Sequence, residues 1–312
     1  MNTITLKELL TEFLDYRKSL NQSPLTCQVT QSNVGRCLAW LEEQFTVTKA
    51  EQLNREYLQS WHLDLGKRMG RWGRPLKPAT VNKNIESVRV FLGWLAKGGI
   101  VTQQLRDQLE YVKMPRLLPT SVLSHEQVCL VLESVDTHTL SGRRDRTILE
   151  LLYSSGLRSA ELLGLNLADL NLPNHTAIVT GKGRKQRLVP LGVTAHRCIE
   201  DYLLTVRPFL KPKLQDERAL FLNHAGCRFP YHTLNRLVAR AATVLDVPFP
   251  VTPHTFRRSC TTELIRRGAN LYHVKDLLGH ENLDTLRHYA RLNISDIQKT
   301  HHECHPREHN PS

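Results

Sequence analysis

The sequence predicts a mainly α chain with one small β-sheet. It divides into an all-α domain over residues 1–105, an extended basic linker over 106–120, and a larger α-rich domain carrying the sheet over 121–312. Apolar residues recur at helical spacing through most of the chain. One pair of β-prone runs, Thr176–Thr180 and Arg187–Leu191, flanks a basic, glycine-rich tip. Lys113-Met114-Pro115-Arg116 and Pro119 interrupt the helical pattern between the two halves, because proline and the residue before it favour extended backbone.

In the first domain Thr5 caps a helix carrying Leu6, Leu9, Leu10, Phe13 and Leu14, with Glu8 placed to complete a capping box. Ser23-Pro24 opens a second helix through Leu41, with proline in the tolerated first turn. Leu53 to Leu65 suits a third. Pro78-Ala79-Thr80 starts a fourth, which Gly98-Gly99 stops. Trp40, Trp61 and Trp94 fall in apolar helical patterns and are expected in the core rather than stacked on bases; Trp72 reads equally either way. Trp72 lies in Lys67–Lys77, a loop with Gly, Pro and five positive charges. Arg71 and Arg74 there are candidate phosphate contacts, and a solvated basic loop is the equal alternative.

The second domain opens with Ser124 and Gln127 as a capping box and is expected to be helical to Leu170. The β-hairpin follows, its tip Gly181-Lys182-Gly183-Arg184-Lys185-Gln186. Helical patterns resume at Thr194, break around Pro248, Pro250 and Pro253, and continue to the end.

Lys plus Arg number 42 against 30 Asp plus Glu, a formal +12, with pI near 9.5. A polyanionic partner explains this balance best, since each neutralised phosphate releases counterions. Seven scattered cysteines without a Cys-x-x-Cys pair suit reduced thiols rather than a disulfide framework or zinc ribbon. No basic-then-apolar leader opens the chain and no apolar run approaches a membrane span, so a soluble cytoplasmic protein is expected.

Several short motifs stand in order. Arg158 lies in Gly156-Leu157-Arg158-Ser159-Ala160-Glu161, Lys182 between two glycines, and His254 and Arg257 in Pro253-His254-Thr255-Phe256-Arg257-Arg258. His280 ends Leu277-Leu278-Gly279-His280, and Tyr289 lies nine residues on. This ordered set closely resembles the tyrosine recombinases, the phage integrase family, of a Xer-like or transposon-encoded kind. The resemblance spans nearly the whole chain, more specifically in the second domain than in the first. Asp284-Thr285-Leu286-Arg287-His288-Tyr289 departs from the Thr-Thr pair common before the family's tyrosine.

The resemblance implies an N-terminal core-binding domain and a C-terminal catalytic domain forming a clamp on double-stranded DNA. It also implies site-specific cleavage and rejoining through a 3′-phosphotyrosine, with neither metal nor other cofactor. The target would be a specific site with inverted half-sites, acted on by a homo- or hetero-tetramer of recombinase protomers. Tyr289 would be the nucleophile; a phenol of pKa ~10 needs cations or a base to attack at neutral pH. Arg158 and Arg257 would grip the non-bridging oxygens, a task suited to a planar, always-charged fork. Glu161 would hold Arg158 from behind, or form an ordinary i,i+3 pair with it. From the residues alone Lys182 and Lys185 compete as the acid for the leaving oxygen; the family match selects Lys182. Arg184, Lys185 and Arg187 would then contact the DNA backbone. His254, three residues before Arg257, would share its helix face and shuttle a proton, and His280 would donate to the phosphate. Tyr272, upstream in an apolar helix, is expected in the core.

The tail holds His301, His302, Cys304, His305 and His309, but Pro306 breaks any ligand spacing. It resembles instead a Xer-type tail that docks on a neighbouring protomer. Type IB topoisomerase-like relaxation and a non-catalytic DNA-binding role are the alternatives. A compact layout argues against the first and a full catalytic set against the second.

Overall fold

In the computed structural model the described residues are 4–70, 73–114, 121–181, 183 and 185–279. They fall into two compact units, residues 1–116 and 117–312.

Unit 1 is built from α1 (Leu6–Ser19), α2 (Pro24–Phe45), α3 (Arg55–Lys67), α4 (Pro78–Lys97) and the short α5 (Gln103–Asp107). The start signals act as the sequence predicts. Thr5 and Glu8 form the capping box of α1, Ser23 caps α2 with Pro24 in the first turn, and α4 ends at Gly98. The third helix starts two residues later than expected because Asn54, not Leu53, supplies the side-chain cap. Phe13, Val34, Leu41, Trp61, Ile85 and Phe91 lie at the centre of its core. Trp40 and Trp94 pack against that core from its margin.

The expected linker begins too early. Leu105 and Leu109 are buried in the unit 1 core, Arg89 donates to the carbonyls of Arg106 and Leu109, and Asn82 exchanges two hydrogen bonds with the backbone of Val112. Residues 106–112 are therefore bound to α4 by groups whose partners lie about twenty to thirty residues upstream, beyond the reach of local pattern.

A polar seam joins α2 to α4. The Asn33 side-chain amide donates to Ser87 Oγ (2.9 Å), and that of Asn84 to the Thr80 carbonyl (2.8 Å). The oxygens of both amides accept from one guanidinium nitrogen of Arg36, at 2.6 and 3.2 Å. The loop after α3 is a tight hairpin: Met69 bridges Pro75, and Gly73 takes the left-handed conformation (φ 66°).

Unit 2 holds α6 (His125–Glu133), α7 (Leu140–Ser154), α8 (Ser159–Gly164), β1 (Leu170–Asn171), β2 (Thr176–Thr180), β3 (Gln186–Pro190), α9 (Val193–Thr205), α10 (Tyr231–Ala241), α11 (Pro253–Arg266) and α12 (Leu271–Leu278). The sheet order is β1-β2-β3, antiparallel throughout, with Val179 opposite Arg187 and Ala177 opposite Val189. Ala177, Val179 and Val189 point into the core, so the period-2 pattern fixes which face is buried. β1 falls at the end of the stretch expected to be helical to Leu170; at two residues it is too short to show alternation.

Residues 206–230 likewise hold no α-helix, only two short 3-10 turns at Arg207–Phe209 and Leu214–Asp216. Two isolated bridges, Asn166–Ala219 and Leu222–Arg228, bring Phe221 and Phe229 into the core, around a turn at Gly226 (φ 72°). The helical pattern breaks across Pro248 and Pro250 as expected and resumes at Pro253, where Thr252 caps α11 and proline suits its first turn. Cys27, Cys37 and Cys260 are buried free thiols. Among the described residues, no helix is long and apolar enough to cross a membrane.

Candidate active site

The site grows from three chain segments that end at one carboxylate. After α7, Gly156 adopts the left-handed conformation (φ 56°), a turn that side-chain-bearing residues resist. Leu157 is buried, and Arg158 then stands at the start of α8 with extended backbone. Glu161, one turn on, reaches back: Oε2 accepts from the Arg158 backbone N–H (2.9 Å) and Oε1 from its guanidinium (2.7 Å). It is also bound from β3, where Arg187 grips both carboxylate oxygens at 2.8 and 2.9 Å. The third segment is α11. Its Arg257 guanidinium lies 3.8 Å from Glu161 and donates to the carbonyls of Gly156 (2.6 Å) and Leu278 (2.7 Å).

These same arginines receive the end of α12. A helix leaves its last carbonyls without intrahelical partners, and the macrodipole makes that end negative. Gly279 closes α12 in the left-handed conformation. Arg187 Nε then donates to the Leu277 carbonyl (2.8 Å), Arg257 to that of Leu278, and Arg158 to that of Gly279 (2.9 Å). Three successive carbonyls thus meet three guanidiniums, which fixes the chain position just before His280.

The electrostatics follow from the count of charges. Among the described residues three guanidiniums converge on a single carboxylate, and each also donates to a backbone carbonyl. Burial alone would push the Glu161 carboxyl up; hydrogen bonds from Arg187 and then from Arg158 overcome it and hold the group at about 2. Burial, and then repulsion from Arg158, pull Arg257 down to about 10, still fully charged at neutral pH. His254, one turn before Arg257 on α11, lies on the exposed side. Its pKa is lowered, chiefly by desolvation against the protein and then by the charges of Arg258, Arg257 and Arg158, which keeps the imidazole neutral and able to take a proton. Exposure is graded across the cluster: the Arg158 side chain is 39% exposed, that of Arg257 4%. Arg158 is thus the more accessible of the two to a ligand.

Of the expected site, Arg158, Glu161, His254 and Arg257 come together. Glu161 serves three arginines rather than one, which an i,i+3 spacing cannot reveal. Lys182, Arg184, His280, Tyr289 and Arg71 lie outside the described residues, as do Trp72 and the histidine-rich tail. Lys185 and Arg74 are exposed on their loops.

Two expectations are corrected. Arg187 is not a DNA backbone contact in this arrangement: its side chain is 15% exposed and its fork faces inward onto Glu161. Its place in the strand, opposite buried Val179, turns it to the interior. Tyr272 is 64% exposed rather than core, because the buried stripe of α12 is Val274 and Leu278 and Tyr272 sits about 200° around the helix from Val274. Sequence reasoning also passed over Arg36, an exposed arginine held by the amide oxygens of Asn33 and Asn84 with no carboxylate paired to it among the described residues. The available signal was Asn33 three residues before it on the same helix face.

Residues 121–295 match the phage integrase family, and the chain belongs to it. It is a Xer-like tyrosine recombinase, an enzyme of site-specific DNA strand transfer. It is 31% identical over 304 residues to the tyrosine recombinase XerD of Listeria innocua, spanning 95% of this chain and 99% of that one. It is also 31% identical over 259 residues to XerC of Myxococcus xanthus, with 82% and 86% covered. Among solved structures, the Tn1549 transposon integrase in complex with circular intermediate DNA shares the fold at a TM-score of 0.72 and 19% identity, over 95% of this chain and 99% of that one. XerH bound to its difH substrate does so at 0.67 and 20%, over 94% and 83%.

Proposed function

We propose that this recombinase cuts and rejoins duplex DNA at a specific site of inverted half-sites, using Tyr289 as nucleophile, Arg158 and Arg257 as phosphate-binding groups, and Lys182, His254 and His280 as proton-handling groups. The observation that carries this is the convergence of Arg158, Arg187 and Arg257 on Glu161 and on the last carbonyls of α12, just before His280. A phosphodiester gains negative charge on its non-bridging oxygens as it is attacked, and fixed guanidiniums stabilise that charge without reorganising. Neutral His254 accepts the phenol proton as the Tyr289 oxygen bonds to phosphorus. The bond to the 5′-oxygen breaks, and Lys182 supplies that oxygen's proton. The 3′-phosphotyrosine keeps the energy of the phosphodiester, so a 5′-hydroxyl from a second strand reverses the steps without ATP or metal.

Integration, transposition and resolution all consist of these cuts, made in pairs by a tetramer of like or partner protomers. The tail after Asp296 docks on a neighbouring protomer. Lys185, Arg184, Arg71, Arg74 and Arg36 meet the DNA from outside the reaction centre. Arg36 fits this role because amide oxygens orient it without cancelling its charge, leaving donors suited to phosphate or to a guanine edge. The protein works on bacterial-type cytoplasmic DNA.

The test is a nicked duplex whose cleavage releases a short fragment and traps the covalent adduct. Wild-type protein should accumulate the adduct. Tyr289→Phe should bind the same duplex within a few-fold and form none. Adduct from the variant would overturn the assignment of the nucleophile. Relaxation of supercoiled plasmid without exchange between two sites would replace recombination by a topoisomerase-like activity.

A further inference from the structure

Arg187 ties three segments of the site together. Its two terminal nitrogens grip Glu161, which stands behind Arg158, and its Nε holds the Leu277 carbonyl at the end of α12. It belongs to β3, the strand that returns from the hairpin tip. The residues that precede Lys182 and His280 both lie against this ion pair. A methyl group on Gly181 would stand 3.4 Å from Glu161 Oε1 and 3.7 Å from Arg187 Nη1. One on Gly279 would stand 3.0 to 3.2 Å from the Arg187 guanidinium. The hairpin narrows at the same point, where the Gly181 N–H donates to the Lys185 carbonyl (2.8 Å).

From this we infer that Arg187 is a positioning residue, one that sets Lys182 and the end of α12 in register with the Arg158–Arg257 pair. The inference rests on the reading of Lys182 as the acid for the leaving oxygen. A lone surface ion pair would do little, but this one is almost wholly buried and bidentate, with a third hydrogen bond that uses the fork's remaining direction. Lysine in its place would keep a charge but could not bridge both carboxylate oxygens and the carbonyl together. The hairpin would then lose its fixed distance to Glu161, and the acid would stand away from the 5′-oxygen. Misplacement of about an ångström is enough to slow a positioned reaction a hundredfold.

The leaving group gives a readout that a purely structural role would not move. With an ordinary phosphate the P–O5′ bond breaks and the oxygen needs a proton. With a 5′-bridging phosphorothiolate the P–S bond breaks and a thiolate leaves without one. Full-length Arg187→Lys, Gly181→Ala, Lys182→Ala and wild type would be compared on nicked duplexes carrying either linkage, by rate of covalent adduct formation. Melting curves and gel shifts would verify folding and binding.

Arg187→Lys should bind DNA within a few-fold, cleave the phosphate roughly a hundredfold or more slowly, and recover at least tenfold on the phosphorothiolate, as Lys182→Ala does. Gly181→Ala sets a methyl group 3.4 Å from Glu161 Oε1, at the near edge of ordinary contact, and should show a smaller defect rescued in the same way. It also keeps the test decisive if Arg187→Lys folds poorly. Arg187→Lys cleavage at the wild-type rate, or a defect that the sulfur does not relieve while Lys182→Ala is relieved, would overturn the inference. So would Gly181→Ala cleaving both linkages at wild-type rates. Failure of the sulfur to relieve Lys182→Ala would instead remove that lysine from the acid role, and with it the object that Arg187 is inferred to position.

Discussion

Gly156 and Leu278 meet so closely that a methyl group on the glycine would lie 2.6 Å from the leucine Cδ2. The same methyl would press on Cys260 Sγ at 3.3 Å, and φ at Gly156 is 56°. This contact seats the turn before Arg158 against α11 and α12, so the two arginines proposed to bind phosphate share one backbone hinge; the Gly156 carbonyl itself accepts from Arg257. Gly156→Ala should therefore destabilise unit 2 by about 2 kcal/mol or more, from left-handed strain plus the clash. Adduct formation should fall further than the stability loss explains, since Arg158 and Arg257 would shift relative to each other. Urea denaturation and single-turnover cleavage, measured on the same preparation, would check both; an alanine variant as stable as wild type would refute the packing argument.

Glu161 makes a second prediction, about pH. Its folded pKa of about 2 lies below the ordinary carboxylate value of 4.5. A depressed carboxylate pKa gives stability that is fully present above about 4.5 and lost as pH falls through about 2. Glu161→Gln removes the carboxylate charge on which three arginines converge, and at neutral pH should cost about 3–5 kcal/mol. The gap between variant and wild type should narrow as pH falls from 4.5 towards 2. A gap that stays constant across that range would mean the carboxylate charge is not what holds the cluster.

The motifs proposed to carry chemistry were legible because each is local: His254 and Arg257 share a helix turn, and Gly156 to Glu161 is one turn and a cap. The helix starts at Thr5, Ser23 and Ser124 were legible for the same reason, being side-chain caps a few residues from the groups they satisfy. What stayed hidden depends on distance along the chain. Arg187 reads as one more charge in a basic hairpin until Glu161, 26 residues upstream, is seen between its fork. The linker boundary failed in the same way, since Leu109 and Val112 return to α4 through contacts no periodicity encodes. Tyr272 failed because α12 is too short for its pattern to choose a face.

The lowered pKa of His254 predicts a pH–rate profile. A base must be unprotonated to act, and this imidazole loses its proton below the ordinary histidine value of 6.5. The acid limb of adduct formation by wild-type protein should accordingly fall below pH 6.5. His254→Gln should cleave more slowly and lose that limb. A limb that persists unchanged in the variant would assign it to another group.

Removing residues after Asp296 addresses the proposed tail. The truncated protein should bind a single half-site nearly as well as the full chain but assemble and recombine poorly, because the segment is proposed to engage a neighbouring protomer. Gel shifts of half-site and paired-site complexes, with recombination measured in parallel, would separate the two steps. Normal strand exchange by the truncated chain would refute docking, whereas activity restored by zinc alone would point to the tail histidines as ligands.

The basic hairpin after α3 offers an internal control for the DNA contacts. Arg68 is already paired, its Nε 2.6 Å from Asp64, whereas Arg74 is exposed and Arg71 lies beside it in sequence. Each phosphate neutralised contributes about 0.9 to the slope of log affinity against log salt. Replacing Arg71 and Arg74 together by alanine should thus flatten the slope by roughly two units and weaken all sequences alike. Arg68→Ala should change it little, because the charge removed is compensated within the protein. Arg36→Ala should behave differently from both if its fixed fork reaches a base edge: a slope near wild type, with the loss concentrated on one base pair of the selected site and about tenfold or more there. Titrations at several salt concentrations against a site selected from random duplexes would decide among these. A double variant with the wild-type slope would reduce the hairpin to a solvated run of charge, and an Arg36 variant that weakens every sequence equally would make that residue one more phosphate contact.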